Sequence, residues 1–369
     1  MLRARQIILT FIYLLVTAGL AACTPRGPLA LVPDGAPPGD TVTVFQASNR
    51  AYGPLDEPRL GRSPENSYGR YDIRIPEMRQ PGSVPITARS VRADQQFLVA
   101  DKLSLGDESA LIRSLQRELS RLPVGEREIS VFAPGFNMSA AQSLARTAQL
   151  KFDLDISGVA ALFSWPSAAS VLGYAYDRDS ALYSRDSYER FLRALARSRP
   201  ERLILVAHSM GSLLTMETLR QIAINDPSWI RSHVGGVVLI SPDIDLDVFR
   251  SQVARIGKLP QPFVIFVSEK DRALALSSRI SGDTLRLGAV TDPALVGDME
   301  VTLIDISLFN SGIGHFDVGR SPALLTIISQ MAAVEESFED DPASRVDPLT
   351  GTILSVRNAS EIILLPVSQ

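Results

Sequence analysis

Short apolar runs separated by helix-forming stretches most limit what this chain can fold into. Glu128–Phe132, Gly158–Phe163, Leu203–Ala207, Gly236–Ile240, Phe263–Val267 and Val301–Ile306 read as strands, mostly apolar on both faces. A strand covered by helices on each side needs that pattern. Glu108–Leu122 is predicted helical, with Leu111, Leu115 and Leu119 on one stripe. The spacing also predicts helices over Ser139–Phe152, Asp179–Ser198 and Met210–Ile224, and Ser321-Pro322 opens a last one. Strand and helix in alternation give an α/β class: a mostly parallel sheet with helices on both faces.

The ends have a different character. Arg3 and Arg5 precede an apolar run from Ile7 to about Leu20, the pattern of an export signal. The run closes on Leu20-Ala21-Ala22-Cys23. That tetrapeptide resembles the lipobox of bacterial lipoproteins, which implies cleavage before Cys23 and a lipid on its thiol. Thr24 follows, where an Asp would favour inner-membrane retention, so the expected location is the cell envelope, periplasmic side, with the outer membrane favoured. Residues 23–90 are rich in Pro and Gly and are expected to form a tether and N-terminal extension, with short strands at Thr41–Gln46 and Tyr71–Ile75. The expected divisions are a signal at 1–22, this extension, the α/β domain at 91–340 and a tail at 341–369. Ile353–Val367 is expected to add one or two strands outside the core.

Composition removes several function classes. The formal net charge is −4, from 37 Lys and Arg against 41 Asp and Glu. Such a chain has no global basic field for nucleic acid. Cys23 is the single cysteine, so neither a disulfide framework nor a Cys-rich zinc site can form within the chain. No metal or cofactor is expected.

The chemistry is concentrated in Ala207-His208-Ser209-Met210-Gly211, between an apolar strand and an amphipathic helix. This is a G-x-S-x-G nucleophile elbow with Ala in the first place. The chain must reverse sharply there, which strains Ser209 and exposes its hydroxyl. The flanking residues must be small to clear neighbouring strands. The helix start offers its dipole and the Met210 N–H to a developing oxyanion. A second donor is expected from the turn Ala133-Pro134-Gly135-Phe136-Asn137, with the Phe136 N–H placed by the freedom of Gly135.

An elbow serine needs a base, and the chain has three histidines. His315 sits in a glycine-bracketed loop after the last predicted core strand, behind the serine in chain order. His208 adjoins the serine and is expected to point into sheet packing. His233 precedes its strand, at the end of the sheet away from ligand chemistry. For the acid, Asp271 follows the strand Phe263–Val267, with Glu269 a near rival and Asp243 a second option one strand earlier. Asp243, Asp245 and Asp247 could also form a cation site, though turn and capping chemistry suits them better. Trp165, Tyr174 and Tyr176 are candidates for lining a pocket, with plain packing the commoner role for such residues.

With these residues in hand, the chain resembles a bacterial branch of the α/β-hydrolase superfamily, grouped with esterases and lipases and of unknown function. The resemblance spans roughly Tyr52 to Met331. It rests on Gly135-Phe136-Asn137, Phe163-Ser164-Trp165-Pro166-Ser167, Tyr174 to Asp177, the elbow, Ser241-Pro242-Asp243, Lys270-Asp271-Arg272-Ala273-Leu274 and Gly314-His315. It implies an α/β-hydrolase fold with Ser209, Asp271 and His315 at triad positions. One departure is Pro134, where relatives carry a histidine. The implied activity is hydrolysis of a small-molecule or lipid ester, at a membrane reached through an N-terminal lipid anchor. The alternatives are an acyltransferase or thioesterase on the same triad, or a non-catalytic envelope lipoprotein that retains the fold.

Overall fold

The computed structural model describes residues 28–52, 58–86, 91–307, 351–356 and 359–364. The expected signal segment, Cys23, His315 and the helix expected from Ser321 lie outside the described residues. Among the described residues, eleven strands form one sheet. They are β1 (Thr41–Tyr52), β2 (Pro58–Arg74), β3 (Leu98–Leu105), β4 (Ile129–Ala133), β5 (Val159–Ser164), β6 (Leu203–His208), β7 (Val234–Ile240), β8 (Phe263–Val267), β9 (Val301–Asp305), β10 (Gly351–Val356) and β11 (Ala359–Leu364). Their order across the sheet is β10-β11-β9-β8-β7-β6-β4-β5-β1-β2-β3. The strands from β11 to β1 in that order run parallel, while β2, β3 and β10 are added antiparallel to their neighbours.

Each core strand stands within a residue or two of its expected position. The two ends of the chain differ from expectation. β1 is far longer than Thr41–Gln46 and pairs parallel with β5, from Val44 opposite Ala160 to Ser48 opposite Ser164. The sheet therefore crosses the boundary expected at residue 90. Val44, Phe45 and Ala47 are wholly buried, which an isolated tether could not achieve. The C-terminal strands also join the sheet, with β11 parallel to β9, instead of lying outside it.

The described helices are α1 (Glu108–Leu119), α2 (Ala140–Asp153), α3 (Tyr174–Tyr183), α4 (Arg185–Arg197), α5 (Met210–Asn225), α6 (Pro227–His233), α7 (Leu246–Ile256) and α8 (Arg272–Ile280). Ser139 caps α2 in a reciprocal box with Gln142. The helix expected over Asp179–Ser198 is divided at Ser184. There the serine hydroxyl bonds the Ser180 carbonyl, and Asn49 of β1 donates to it at 3.0 Å. Downstream, α4 buries Tyr188, Phe191, Leu192 and Leu195 against the sheet. Phe191, Leu192 and Leu195 each contribute roughly 1.5–3 kcal/mol by burial.

Alternate residues of the strands feed two apolar layers. Phe45, Val131 and Phe163 point to one layer, and Val44, Phe132 and Leu162 to the other. The central helix α5 is buried on almost every side, from Met210 to Ala223. Its hydroxyls are satisfied locally: Thr215 donates to the Gly211 carbonyl at 2.9 Å and Thr218 to that of Leu214 at 2.8 Å. Among the described residues, no helix is long and apolar enough to cross a membrane.

Candidate active site

The chain leaves β4 for β5 on one side, then returns across β4 to form β6 on the other. Connections diverge at the carboxyl ends of β4 and β6, the place where open α/β sheets carry their ligand sites. The Pro134–Asn137 loop and Ser209 both stand there. Ser209 has φ 52° and ψ −120°, a conformation that L-residues rarely adopt. Its N–H donates to the Ile240 carbonyl at 2.9 Å. Its carbonyl accepts from Ser212 at 3.0 Å and from Asp243 at 3.2 Å. Neighbouring elements thus hold the strained turn from both sides.

Both small residues of the site have a measurable reason. A Cβ on Gly211 would lie 2.3 Å from the Ala133 carbonyl oxygen and 2.4 Å from that of Pro134. A Cβ on Gly135 would meet His208 Nδ1 at 2.7 Å and Ser209 Cβ at 3.0 Å. The loop after β4 is thus seated directly on the elbow. This seating changes one expectation: Ser209 is only 4% exposed, so the candidate nucleophile lies covered, not open to solvent. Met210 opens α5, and a first-turn N–H has no acceptor within its own helix.

The loop is held along its length. Trp165, fully buried, donates its indole N–H to the Pro134 carbonyl at 2.7 Å. It therefore braces the loop and does not line a pocket. Phe136 meets the Tyr174 ring edge-on, with centroids 5.5 Å apart. Asn137 adopts φ 63° and donates its backbone N–H to Asp177 Oδ2 at 3.0 Å. Arg50 of β1 donates to the Met138 and Ser167 carbonyls, each at 2.9 Å. Tyr176 faces elsewhere, with the Arg62 guanidinium 4.6 Å above its ring. Sequence reasoning missed Arg50 and Asp177 as parts of the site. A buried Arg in an apparent tether looks like any surface charge until β1 is placed beside β5.

The candidate acids have separate surroundings. Asp271 is buried and caps α8, with Oδ1 accepting from Ala273 at 3.0 Å and Leu274 at 3.1 Å. Asp243 accepts from Tyr174 at 2.8 Å through Oδ2 and from Ser277 at 2.5 Å through Oδ1. It also forms an ion pair with buried Arg286 at 3.4 Å. Burial, and then the Asp243 charge, push the Tyr174 phenol above its ordinary 10.0, which keeps it a donor. Glu269 is exposed.

The three spaced aspartates do not converge. Asp245 caps α7, and Asp247 is 90% exposed beside Arg250. Burial alone would raise Asp245, but hydrogen bonds from Thr284 and the Val248 and Asp247 amides hold it below the ordinary carboxylate value. Among the described residues, no group of three His, Cys, Asp or Glu could hold a metal ion. His233 stacks on Trp229 at 4.7 Å and bonds the Trp229 carbonyl, just before β7 and so at the end of the sheet opposite the elbow.

Strand order and elbow together place the chain among the α/β hydrolases. The sequence narrows this further. Residues 108–330 match the family described as alpha/beta hydrolase of unknown function (DUF900), and the chain belongs to that family. No curated protein matches the sequence. Similar solved structures include a C6-C4 SN3 inhibited esterase B from Lactobacillus rhamnosis, at 12% identity, with 58% of this chain and 77% of that one covered and a TM-score of 0.34. The thermophilic esterase Est2 from Thermogutta terrifontis is 13% identical, with 76% and 90% covered and a TM-score of 0.32. A prolyl endopeptidase is 11% identical, with 58% and 34% covered and a TM-score of 0.32. At such scores these likenesses carry no weight for substrate or mechanism.

Proposed function

We propose that the protein is a serine hydrolase acting on carboxylic esters. The observation that carries this reading is Ser209 at φ 52°, strained at the switch point beneath Gly135. Strain of this kind is kept where geometry must place a reacting atom. In the proposed reaction the Ser209 hydroxyl attacks the acyl carbonyl and His315 takes its proton. His315 then returns the proton to the leaving alcohol, and water repeats the cycle to free the acid. The N–H groups of Phe136 and Met210 stabilise the oxyanion. Asp271 orients the imidazole. Its place after β8 supports that role, as does the engagement of both Asp243 oxygens elsewhere.

The test is hydrolysis of p-nitrophenyl esters of graded chain length, together with fluorophosphonate labelling. Activity and labelling in the wild type, both lost in Ser209→Ala, are expected. Labelling that persists in Ser209→Ala would place the nucleophile elsewhere, and no turnover by the wild type on any ester would leave a binding role for the fold.

We further propose that Cys23 carries the lipid anchor at the cell envelope. The supporting feature is Leu20-Ala21-Ala22-Cys23 in a chain with one cysteine. Metabolic labelling with a fatty-acid analogue should mark the wild type and not Cys23→Ser. Label on the serine variant would end this reading.

A further inference from the structure

We propose that Asp177 is a positioning residue that fixes the oxyanion loop through the Asn137 amide. The proposal rests on the serine-hydrolase reading above. Asp177 lies in the first turn of α3, wholly buried. A carboxylate is costly to bury unless its oxygens are hydrogen-bonded. Here the donors come from two different loops. Asp177 Oδ2 accepts from the Asn137 N–H at 3.0 Å and the Ser167 hydroxyl at 2.6 Å. Oδ1 accepts from the Ala168 N–H at 2.5 Å. One carboxylate thus ties the loop after β4 to the loop after β5.

The consequence for catalysis follows from the chain itself. Peptide units are planar, so only φ and ψ of Phe136 separate the anchored Asn137 N–H from the Phe136 N–H. Anchoring one amide therefore orients the other. The Phe136 side chain is held from the same helix, by Tyr174 one turn before Asp177. Tyr174 is itself fixed by Asp243 and Ser277, each at 2.8 Å from its hydroxyl. An oxyanion donor must be in place before charge develops, since reorganisation during the reaction would cost rate. Asp177 supplies that order at the residue next to the donor.

The full-length chain in detergent is assayed on p-nitrophenyl butyrate as Asp177→Asn and Ser167→Ala. Asparagine cannot accept at both positions, because its NH2 group faces a donor. In Asp177→Asn, kcat should fall about 10- to 100-fold, as expected for a misplaced oxyanion donor. KM should stay within about twofold. The shape of the pH profile should not change, because His315 and Asp271 are untouched. Fluorophosphonate labelling of Ser209 should slow in step with kcat. A role in folding alone would lower the melting temperature and leave kcat per folded molecule unchanged, and that result would overturn the proposal. If Asp177→Asn does not fold, Ser167→Ala decides, since it keeps the carboxylate and α3. Its kcat should fall about 3- to 10-fold at unchanged KM, for the loss of one hydrogen bond to the clamp. A wild-type kcat there would equally overturn it. Absence of turnover in the wild type would end the serine-hydrolase reading and this proposal together, whereas an active wild type with unaffected variants ends this proposal alone.

Discussion

Gly135 and Ser209 approach so closely that a Cβ on the glycine would stand 3.0 Å from the serine's own Cβ. The elbow serine and the loop after β4 are therefore one packed unit. Gly135→Ala should push the loop off the elbow, because His208 Nδ1 blocks the new methyl at 2.7 Å as well. Overpacking of this kind costs about 1–3 kcal/mol in stability. Turnover should fall more than stability explains, by on the order of 100-fold, since about 1 Å of displacement suffices for that. Melting curves and kcat on one good ester, measured on the same preparation, test this. A variant with wild-type kcat would mean that the loop does not hold the oxyanion.

Ser209 stores strain that glycine would release. A non-glycine residue in such a region costs on the order of 1–3 kcal/mol. Ser209→Gly should therefore melt above Ser209→Ala, by about 1 kcal/mol in unfolding free energy, with both inactive. Equal stability of the two variants would show that the turn is not strained.

The two buried aspartates should separate by readout. Asp271→Asn should lose up to about four orders of magnitude in turnover. Its stability should stay close to wild type, since asparagine also caps helices well. Asp243→Asn leaves the Arg286 guanidinium buried without its ion pair, and breaking such pairs costs on the order of 3–5 kcal/mol. It should be the unstable variant, with turnover per folded molecule far above that of Asp271→Asn. Exposed Glu269→Gln should change neither quantity. An active Asp271→Asn beside an inactive, folded Asp243→Asn would reassign the acid.

Asp153 makes one clip of the fold dependent on pH. It pairs with Arg79 and accepts from the Gly82 N–H at 2.7 Å and from Gln149 at 2.6 Å, clipping residues 79–82 onto α2. Burial would raise this carboxyl, but these hydrogen bonds outweigh it and hold the group below its ordinary 3.8. A depressed carboxyl contributes stability that is fully present above the unfolded value. That contribution is lost as pH falls through the folded value. Asp153→Asn should therefore melt below wild type from neutral pH down to about 4, by on the order of 3 kcal/mol for a broken buried pair. The gap should close at lower pH. A gap that is constant across the whole range would exclude this carboxylate as the titrating group.

The chain by itself determined everything that depends on neighbours in sequence. The apolar runs marked the core strands because a strand covered on both faces must be apolar on both. The elbow was legible because Ala207, Ser209 and Gly211 lie within one turn of chain. Helix α2 was legible through its cap at Ser139. Tertiary structure decided what depends on contacts between distant segments. At the helix break, Ser184 is engaged by Asn49, which lies 135 residues away. Thr41–Tyr52 is a sheet strand because β5 is there to pair with it. Arg50, Trp165 and Asp177 hold the loop after β4 through partners that no local pattern reveals. Hydrogen bonds between buried groups are satisfied wherever folding brings a donor to an acceptor, and sequence spacing carries no record of that.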